Sequence, residues 1–461
     1  MGIMAAVMVP HPPLIIPEVG RGKEKGIQDT IDAYEEAACK IGGYKPETIV
    51  LLSPHQTMYA DYFHISPGTG AKGDFAQFGV RQVKTEVSYD TEFVKELCGL
   101  AQQKELPAGT LGEREPRLDH GTMVPLYFVN KYWKNYQLVR IGLSGLGLPE
   151  HYELGQCIKE ISEKLDRKTV IIASGDLSHR LKEDGPYGFC EDGPEYDRQI
   201  MEVMEQANFG KLLEFSEDFC EKAGECGHRS FTIMAGAFDR TAAAAERFSY
   251  EGPFGVGYGI CTYEAKGADL ERNFIEQYEK KRKQELALKR ETEDEFVRLA
   301  RRTVEEYVTA HRKIKVPEGL PQELYGQSAG VFVSIKKDGR LRGCIGTISA
   351  VRSSLAEEII ENAVSASVKD PRFSPIEEKE LDRLSISVDV LGETEEIASK
   401  EELDVKRFGV IVTKGFKRGL LLPNLEGVDT VEEQIAIARQ KAGIAENEEV
   451  KLERFEVVRH E

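Results

Sequence analysis

Long apolar runs are missing from this chain of 461 residues: no stretch approaches the ~20 residues that a membrane-spanning helix needs. The opening Gly2-Ile3-Met4-Ala5-Ala6-Val7 has no basic residue, and Pro10 and His11 interrupt it early, so neither a targeting signal nor a membrane anchor is expected here. Myristoylation is not expected either, because the sixth position is Ala6 where the signal needs serine or threonine. Regular cysteine spacing is also absent. The eight cysteines form no C-x-x-C pair, which fits reduced thiols in a cytoplasm and argues against a disulfide frame. Positive charge is in deficit, 61 basic against 79 acidic residues, and the net −18 repels phosphate backbones, so nucleic-acid binding is not expected. No internal repeat links the halves. What is present, 41% hydrophobic and 30% charged residues, describes a soluble globular protein of two or three domains.

Over residues 1–266 apolar runs alternate with amphipathic stretches. Strands are expected over 3–9, 49–53, 137–141 and 169–173, helices over 30–41, 91–103, 151–165 and 231–242, and a closing strand over 255–263. This alternation predicts an α/β domain, a mixed sheet with flanking helices. Residues 267–290 carry Glu279-Lys280-Lys281-Arg282-Lys283 and little to bury, the pattern of a charged helical linker. Residues 291–461 read as a smaller α+β domain. There, Lys337-Asp338-Gly339-Arg340 joins two apolar runs as a hairpin, a second strand pair meets through Lys414-Gly415-Phe416, and a helix from about Thr430 stops at Gly443.

Three times in the first domain an apolar run delivers a histidine to the loop just past its end. These are Val9-Pro10-His11-Pro12-Pro13, Ser53-Pro54-His55 and Ser174-Gly175-Asp176-Leu177-Ser178-His179. A lone histidine after a strand is more often structural, but in an open α/β sheet such loops share one edge, where ligands bind. The three can therefore meet. Two histidines with a carboxylate suit a non-haem Fe(II) site, with His179 as a general acid or base and Asp176 to orient it. His120 opens an amphipathic stretch, and Glu225-Cys226-Gly227-His228 packs a carboxylate, a thiol and an imidazole ahead of a helix. His64, His151 and His311 read as structural.

H-P-P at His11, S-P-H at His55, D-H-G-x-x-x-P-L at His120 and S-G-D-L-S-H at His179 together resemble the class III extradiol ring-cleaving dioxygenases. The resemblance covers nearly all of the first domain in the right order. It implies Fe(II) held by His11 and His55, His179 as acid/base toward a substrate hydroxyl, His120 as a hydrogen-bonding group on the substrate side, and a catechol-like aromatic substrate. The stretch at Cys226 is similar instead to Memo, the relative in which a cysteine takes the third ligand position. That ranks Cys226 first, Glu225 second and His228 third. Zinc also fits a His/His/Cys donor set.

In the second domain Arg342-Gly343-Cys344-Ile345-Gly346 and Lys369-Asp370-Pro371-Arg372 bring cations and a thiol near glycines. The glycines allow close approach either to a ligand or to a packed neighbour, and Cys344 is either core or nucleophile. These segments, with Gly419-Leu420-Leu421-Leu422-Pro423, resemble the AMMECR domain family, and Arg342, Cys344, Lys369 and Arg372 are candidates for a second site. The segment Asn424–Asp429 departs from the aromatic-rich stretch typical after L-L-P. A Memo- or dioxygenase-like half joined to an AMMECR half resembles the AmmeMemoRadiSam protein sets, which implies a radical SAM partner; this chain has no C-x3-C-x2-C motif of its own.

Overall fold

The computed structural model describes residues 2–425 and 427–461, so Met1 and Glu426, the latter within the 424–429 segment, lie outside the described residues. The chain divides into two compact units, Met1–Tyr278 and Glu279–Glu461.

The first unit is built on β1 (Ile3–Val9), β2 (Thr48–Ser53), β3 (Gln137–Gly142), β4 (Thr169–Ser174), β5 (Thr241–Glu251) and β6 (Tyr258–Ala268). Their order across the sheet is β3-β2-β4-β1-β6-β5. The first four run parallel, while β6 is antiparallel to both β1 and β5, so the sheet is mixed. Successive side chains leave opposite faces. Ala5, Val7, Val9, Ile49, Leu51, Val170 and Ile172 enter one core, and Ala6, Met8, Val50, Leu52, Ile171 and Ala173 enter the other. Burial on both faces is why these strands read as continuous apolar runs.

Helices α1 (Gln28–Tyr44) and α3 (His120–Tyr132) cover one face. The other is covered by α2 (Thr91–Gln103), α4 (Leu148–Lys164), α5 (Asp192–Glu205) and α6 (His228–Ala237). Because β2, β4 and β1 are adjacent and parallel, their carboxyl ends lie side by side at one edge.

One expected element is corrected. The helix over 231–242 ends at Ala237, and Thr241 starts the edge strand β5. Ala243, Ala244 and Ala245 pair with Ala265, Glu264 and Tyr263 of β6, so ladder hydrogen bonds override the helix preference of an alanine run.

Helix α7 (Phe274–Thr292) contains the charge run at 279–283 and has no buried residue. The second unit continues with α8 (Glu295–Ala310), β7 (Val331–Lys337), β8 (Arg340–Gly346), α9 (Leu355–Val368), β9 (Leu384–Leu391) and β10 (Glu395–Ile397). It is completed by β11 (Gly409–Lys414), β12 (Lys417–Leu421), α10 (Val431–Ala442), β13 (Lys451–Phe455) and β14 (Val457–His460). Two antiparallel sheets result, β8-β7-β9-β14 under α8 and α9, and β10-β13-β11-β12 under α10. Asp338 and Gly339 turn the β7–β8 hairpin with φ of 54° and 85°, the left-handed pair that Asp-Gly supplies. Thr430 and Glu433 cap α10 reciprocally, and Gly443 ends it at φ 63°. Among the described residues no helix is long and apolar enough to cross a membrane.

Candidate metal centre

His11 lies just past β1, His55 just past β2, and Asp176 and His179 just past β4. The strand order therefore brings together residues far apart in sequence. His55 Nε2 is 2.9 Å from His11 Nε2, and Cys226 Sγ is 3.7 Å from the same nitrogen. The donor atoms of His11, His55 and Cys226 all lie within 4.8 Å of one another. Cys226 enters from the turn before α6, which meets the β4 loop where two glycines touch: a Cβ on Gly175 would stand 2.1 Å from Gly227 Cα.

The hydrogen bonds decide which imidazole nitrogens are free. The Ser174 hydroxyl donates to the Gly121 carbonyl at 2.7 Å, so its oxygen accepts from His11 Nδ1–H at 3.0 Å, and His11 Nε2 keeps its lone pair. The close approach of His55 Nε2 then requires either a proton on His55 or a cation between the two rings. A soft thiol beside two imidazoles is a donor set that fits Fe(II) or Zn(II). Burial, reinforced by the neighbouring His55, pushes His11 well below the ordinary imidazole range and His120 down to about 3, and burial lowers His55 as well. Burial also raises the Cys226 thiol well above its usual range, with Asp176 and Glu225 adding to the effect.

Asp176 ties the loops together. Its carboxylate accepts the His11 N–H at 2.7 Å, and its own N–H donates to Cys226 Sγ at 3.2 Å. It does not orient His179 as expected: its carboxylate lies 3.9 Å from His179 Nε2, whereas the Gly224 carbonyl accepts from His179 Nδ1 at 2.6 Å. The Nδ1 proton fixed there leaves Nε2 able to take a proton. The His120 ring, at the start of α3, is centred 3.9 Å from His55 and 5.4 Å from Phe78, and Tyr187 stands edge-on to His179 at 5.2 Å.

Glu225 and His228, ranked after Cys226, face elsewhere. Glu225 accepts the His228 N–H at 2.6 Å at the start of α6, and burial pushes its carboxyl up to about 7. Both ring nitrogens of His228 are occupied, one by the Tyr196 hydroxyl at 3.1 Å and one by the Leu212 carbonyl at 2.9 Å. His64 and His151 are buried and bonded to the Leu111 and Gly147 carbonyls, and His311 ends α8 in the left-handed region.

The second-unit candidates are placed as follows. Arg342 pairs with both oxygens of Glu380 at 2.9 Å and bonds the Ser374 and Pro375 carbonyls. Arg372 pairs with Asp370, which also accepts the Cys344 N–H at 2.9 Å, and the Arg372 hydrogen bonds hold that carboxyl down to about 2. Lys369 is exposed at the end of α9. Cys344 is half-buried, with the Ser334 hydroxyl 3.3 Å from its sulfur. Gly343 is accounted for by helix packing, since a Cβ there would lie 2.1 Å from the Ala366 carbonyl of α9.

Sequence reasoning passed over Ser174, Arg140, Phe78, Tyr187 and the carboxylate of Asp119. The Asp119-x-x-Thr122 spacing was a legible helix-start signal, since Asp119 accepts the Thr122 N–H at 2.9 Å. Nothing in the sequence pairs Arg140 with it.

The fold is a mixed α/β sheet whose parallel strand ends bring two imidazoles together beside a thiol from the turn before α6, a donor group that could hold a metal ion. The family model described as the catalytic LigB subunit of aromatic ring-opening dioxygenase matches residues 5–261, and this chain belongs to that family; the AMMECR1 model matches residues 297–460. A protein of Clostridium acetobutylicum is 42% identical over 468 residues, covering 100% of this chain and 99% of its own length. A Thermotoga maritima protein is 48% identical over 170 residues, 36% of this chain and 98% of its own. Among solved structures, an uncharacterized Pyrococcus horikoshii protein is 36% identical with a TM-score of 0.34, covering 36% of this chain and 88% of its own. An uncharacterized Escherichia coli K12 protein is 14% identical with a TM-score of 0.36, covering 56% and 99%.

Proposed function

We propose that this chain is a cytoplasmic non-haem Fe(II)-dependent oxidoreductase of the extradiol ring-cleaving type, acting on a catechol-like aromatic. The observation that carries the reading is the convergence of His11, His55 and Cys226 beside His120 and His179, neither of which belongs to that donor group. Bound there, Fe(II) would supply the redox chemistry that brings a diol and O2 to reaction. The chain's own part is binding and proton handling. His179 Nε2, its other nitrogen held by Gly224, takes the proton of a substrate hydroxyl. His120, kept neutral by burial, offers a hydrogen bond to the substrate. Phe78 and Tyr187 provide apolar edges beside these two rings.

Oxygen uptake by Fe(II)-loaded protein given a panel of catechols tests the reading. Substrate-dependent uptake that disappears in His179→Gln supports it; full iron occupancy with no uptake across the panel overturns it.

One observation favours a second reading, a Memo-like iron-binding adaptor or redox protein working with a radical SAM partner without ring cleavage. The third donor is a thiol, which is itself oxidisable, where ring cleavage would be served by a carboxylate. Co-purification of a radical SAM protein with an inert, iron-loaded chain supports this alternative. Zinc retained in preference to iron would count against both.

A further inference from the structure

The buried ion pair Asp119–Arg140 lies beside the donor group and takes no part in the chemistry proposed above. Arg140 comes from β3, is 1% exposed, and donates from Nη2 to Asp119 Oδ2 at 2.8 Å. Burial opposes the guanidinium charge, and Asp119, with Tyr89 beside it, outweighs that, so Asp119 is the anionic partner that lets Arg140 stay inside. Burial works against the charge of Asp119 too, but Arg140 and the hydrogen bonds from Ser53, Arg140 and Thr122 hold the carboxyl below its ordinary range.

From that one carboxylate, two chains of hydrogen bonds lead to the two histidines, one to the His55 backbone N–H and one to the His11 ring. On one side Asp119 Oδ1 accepts the Ser53 hydroxyl at 2.6 Å, and Ser53 Oγ in turn accepts the His55 N–H at 3.3 Å. On the other, Asp119 caps α3 through the Thr122 N–H at 2.9 Å and its hydroxyl at 3.0 Å. That cap fixes Gly121, whose carbonyl receives Ser174, which holds His11 Nδ1. The same first turn of α3 presents His120.

The fold contains a built-in comparison. Asp90 does the same job at the opposite end of β2: it caps α2 through the Phe93 N–H at 3.1 Å and accepts the Thr48 hydroxyl at 2.6 Å. It is buried, at 2% exposed, but it lies at the amino end of β2, whereas His55 follows the carboxyl end.

We propose that Asp119, paired with Arg140, is the positioning residue that sets His11 and His55 at their metal-binding separation, with Ser53 and Ser174 as its two arms. The assignment rests on reading His11, His55 and Cys226 as metal ligands. It goes beyond that reading by naming what fixes their geometry and the tautomer of His11.

The test uses the full-length chain titrated anaerobically with Co(II), whose absorption reports both affinity and ligand geometry. Asp119→Asn, Ser174→Ala and Ser53→Ala are compared with Asp90→Asn and wild type. Orientation of metal-bound histidines by outer partners is worth about 10- to 100-fold in affinity. Asp119→Asn and Ser174→Ala are each expected to lose about that much and to shift the Co(II) bands. Asp90→Asn, which removes a helix cap away from the histidines, is expected to keep wild-type affinity and spectrum. If Asp119→Asn does not fold, Ser174→Ala and Ser53→Ala carry the test, because neither strands a buried charge.

Equal Co(II) affinity and spectra in all folded variants would overturn the positioning role while leaving the metal site intact. The same loss in Asp90→Asn as in Asp119→Asn would also overturn it, as general destabilisation. Failure of wild type to bind Co(II) or Fe(II) at all would overturn the metal reading itself, and this assignment with it.

Discussion

Asp197 gives the N-terminal unit a pH dependence that can be worked out from its surroundings. Its side chain lies on α5 and is 1% exposed; one oxygen accepts the Ser178 N–H at 2.7 Å and the other the Tyr250 hydroxyl at 2.9 Å. No cation pairs with it among the described residues, and burial raises its carboxyl to about 7 against these two hydrogen bonds. A carboxyl raised in the folded state stabilises the fold below its unfolded pKa of about 3.9, and that contribution is lost as pH rises through the folded value. Each pH step of one between about 4 and 7 removes up to about 1.4 kcal/mol, so at most about 4 kcal/mol is lost across that range. Asp197→Asn keeps an acceptor for the Ser178 N–H and cannot ionise. Its stability should therefore fall less than that of wild type over this range, leaving the variant the more stable protein at about pH 8. Urea unfolding at about pH 5 and about pH 8 measures the difference, and the single tryptophan, Trp133, reports on the first unit alone. Glu225, also raised to about 7, bends both curves alike, so the difference isolates Asp197. Parallel pH profiles for wild type and variant would show that Asp197 is not the source of the dependence.

Other perturbations probe the same framework. Gly175→Ala drives a Cβ into Gly227 at 2.1 Å, separating the β4 loop from the Cys226 turn; it should cost about 1–3 kcal/mol and abolish metal binding, read by melting and Co(II) titration. Because burial keeps the Cys226 thiol protonated and His11 and His55 neutral, metal binding near pH 7 should release about one proton per ion, measured with an indicator dye; Cys226→Ser should release none. In the second unit, Arg342→Gln leaves Glu380 buried with Lys337 at 3.1 Å and the Glu377 N–H at 3.0 Å and should cost about 3 kcal/mol, partly recovered in the Arg342→Gln/Glu380→Gln double variant.

Much of this architecture was legible because the central strands are buried on both faces and announce themselves as apolar runs. The histidines past their ends followed from strand adjacency, and the resemblance to ring-cleaving dioxygenases supplied their order. What stayed hidden depends on tertiary pairing. The alanines of β5 take a ladder partner that no local preference reveals, and Asp119 looks like an ordinary helix cap until Arg140 is placed against it. Glu225, Cys226 and His228 were ranked in sequence only through the resemblance to Memo. They are separated by the turn before α6, which aims one at His11 and commits the other two to Tyr196, Leu212 and the backbone. In the second unit the cations were visible but their pairing was not, so Arg342 and Arg372 resolve into ion pairs with the distant Glu380 and the adjacent Asp370.

Everything proposed for the first unit depends on the two strand-end histidines and Cys226 together holding one metal ion. Fe(II) stoichiometry after anaerobic loading of wild type, Glu225→Gln, Cys226→Ser and His228→Ala measures that dependence. About one iron per chain is expected, lost in Cys226→Ser and retained in the other two. Retention in Cys226→Ser with loss in Glu225→Gln or His228→Ala, or no iron in wild type, would mean that the ion is not held by these three residues.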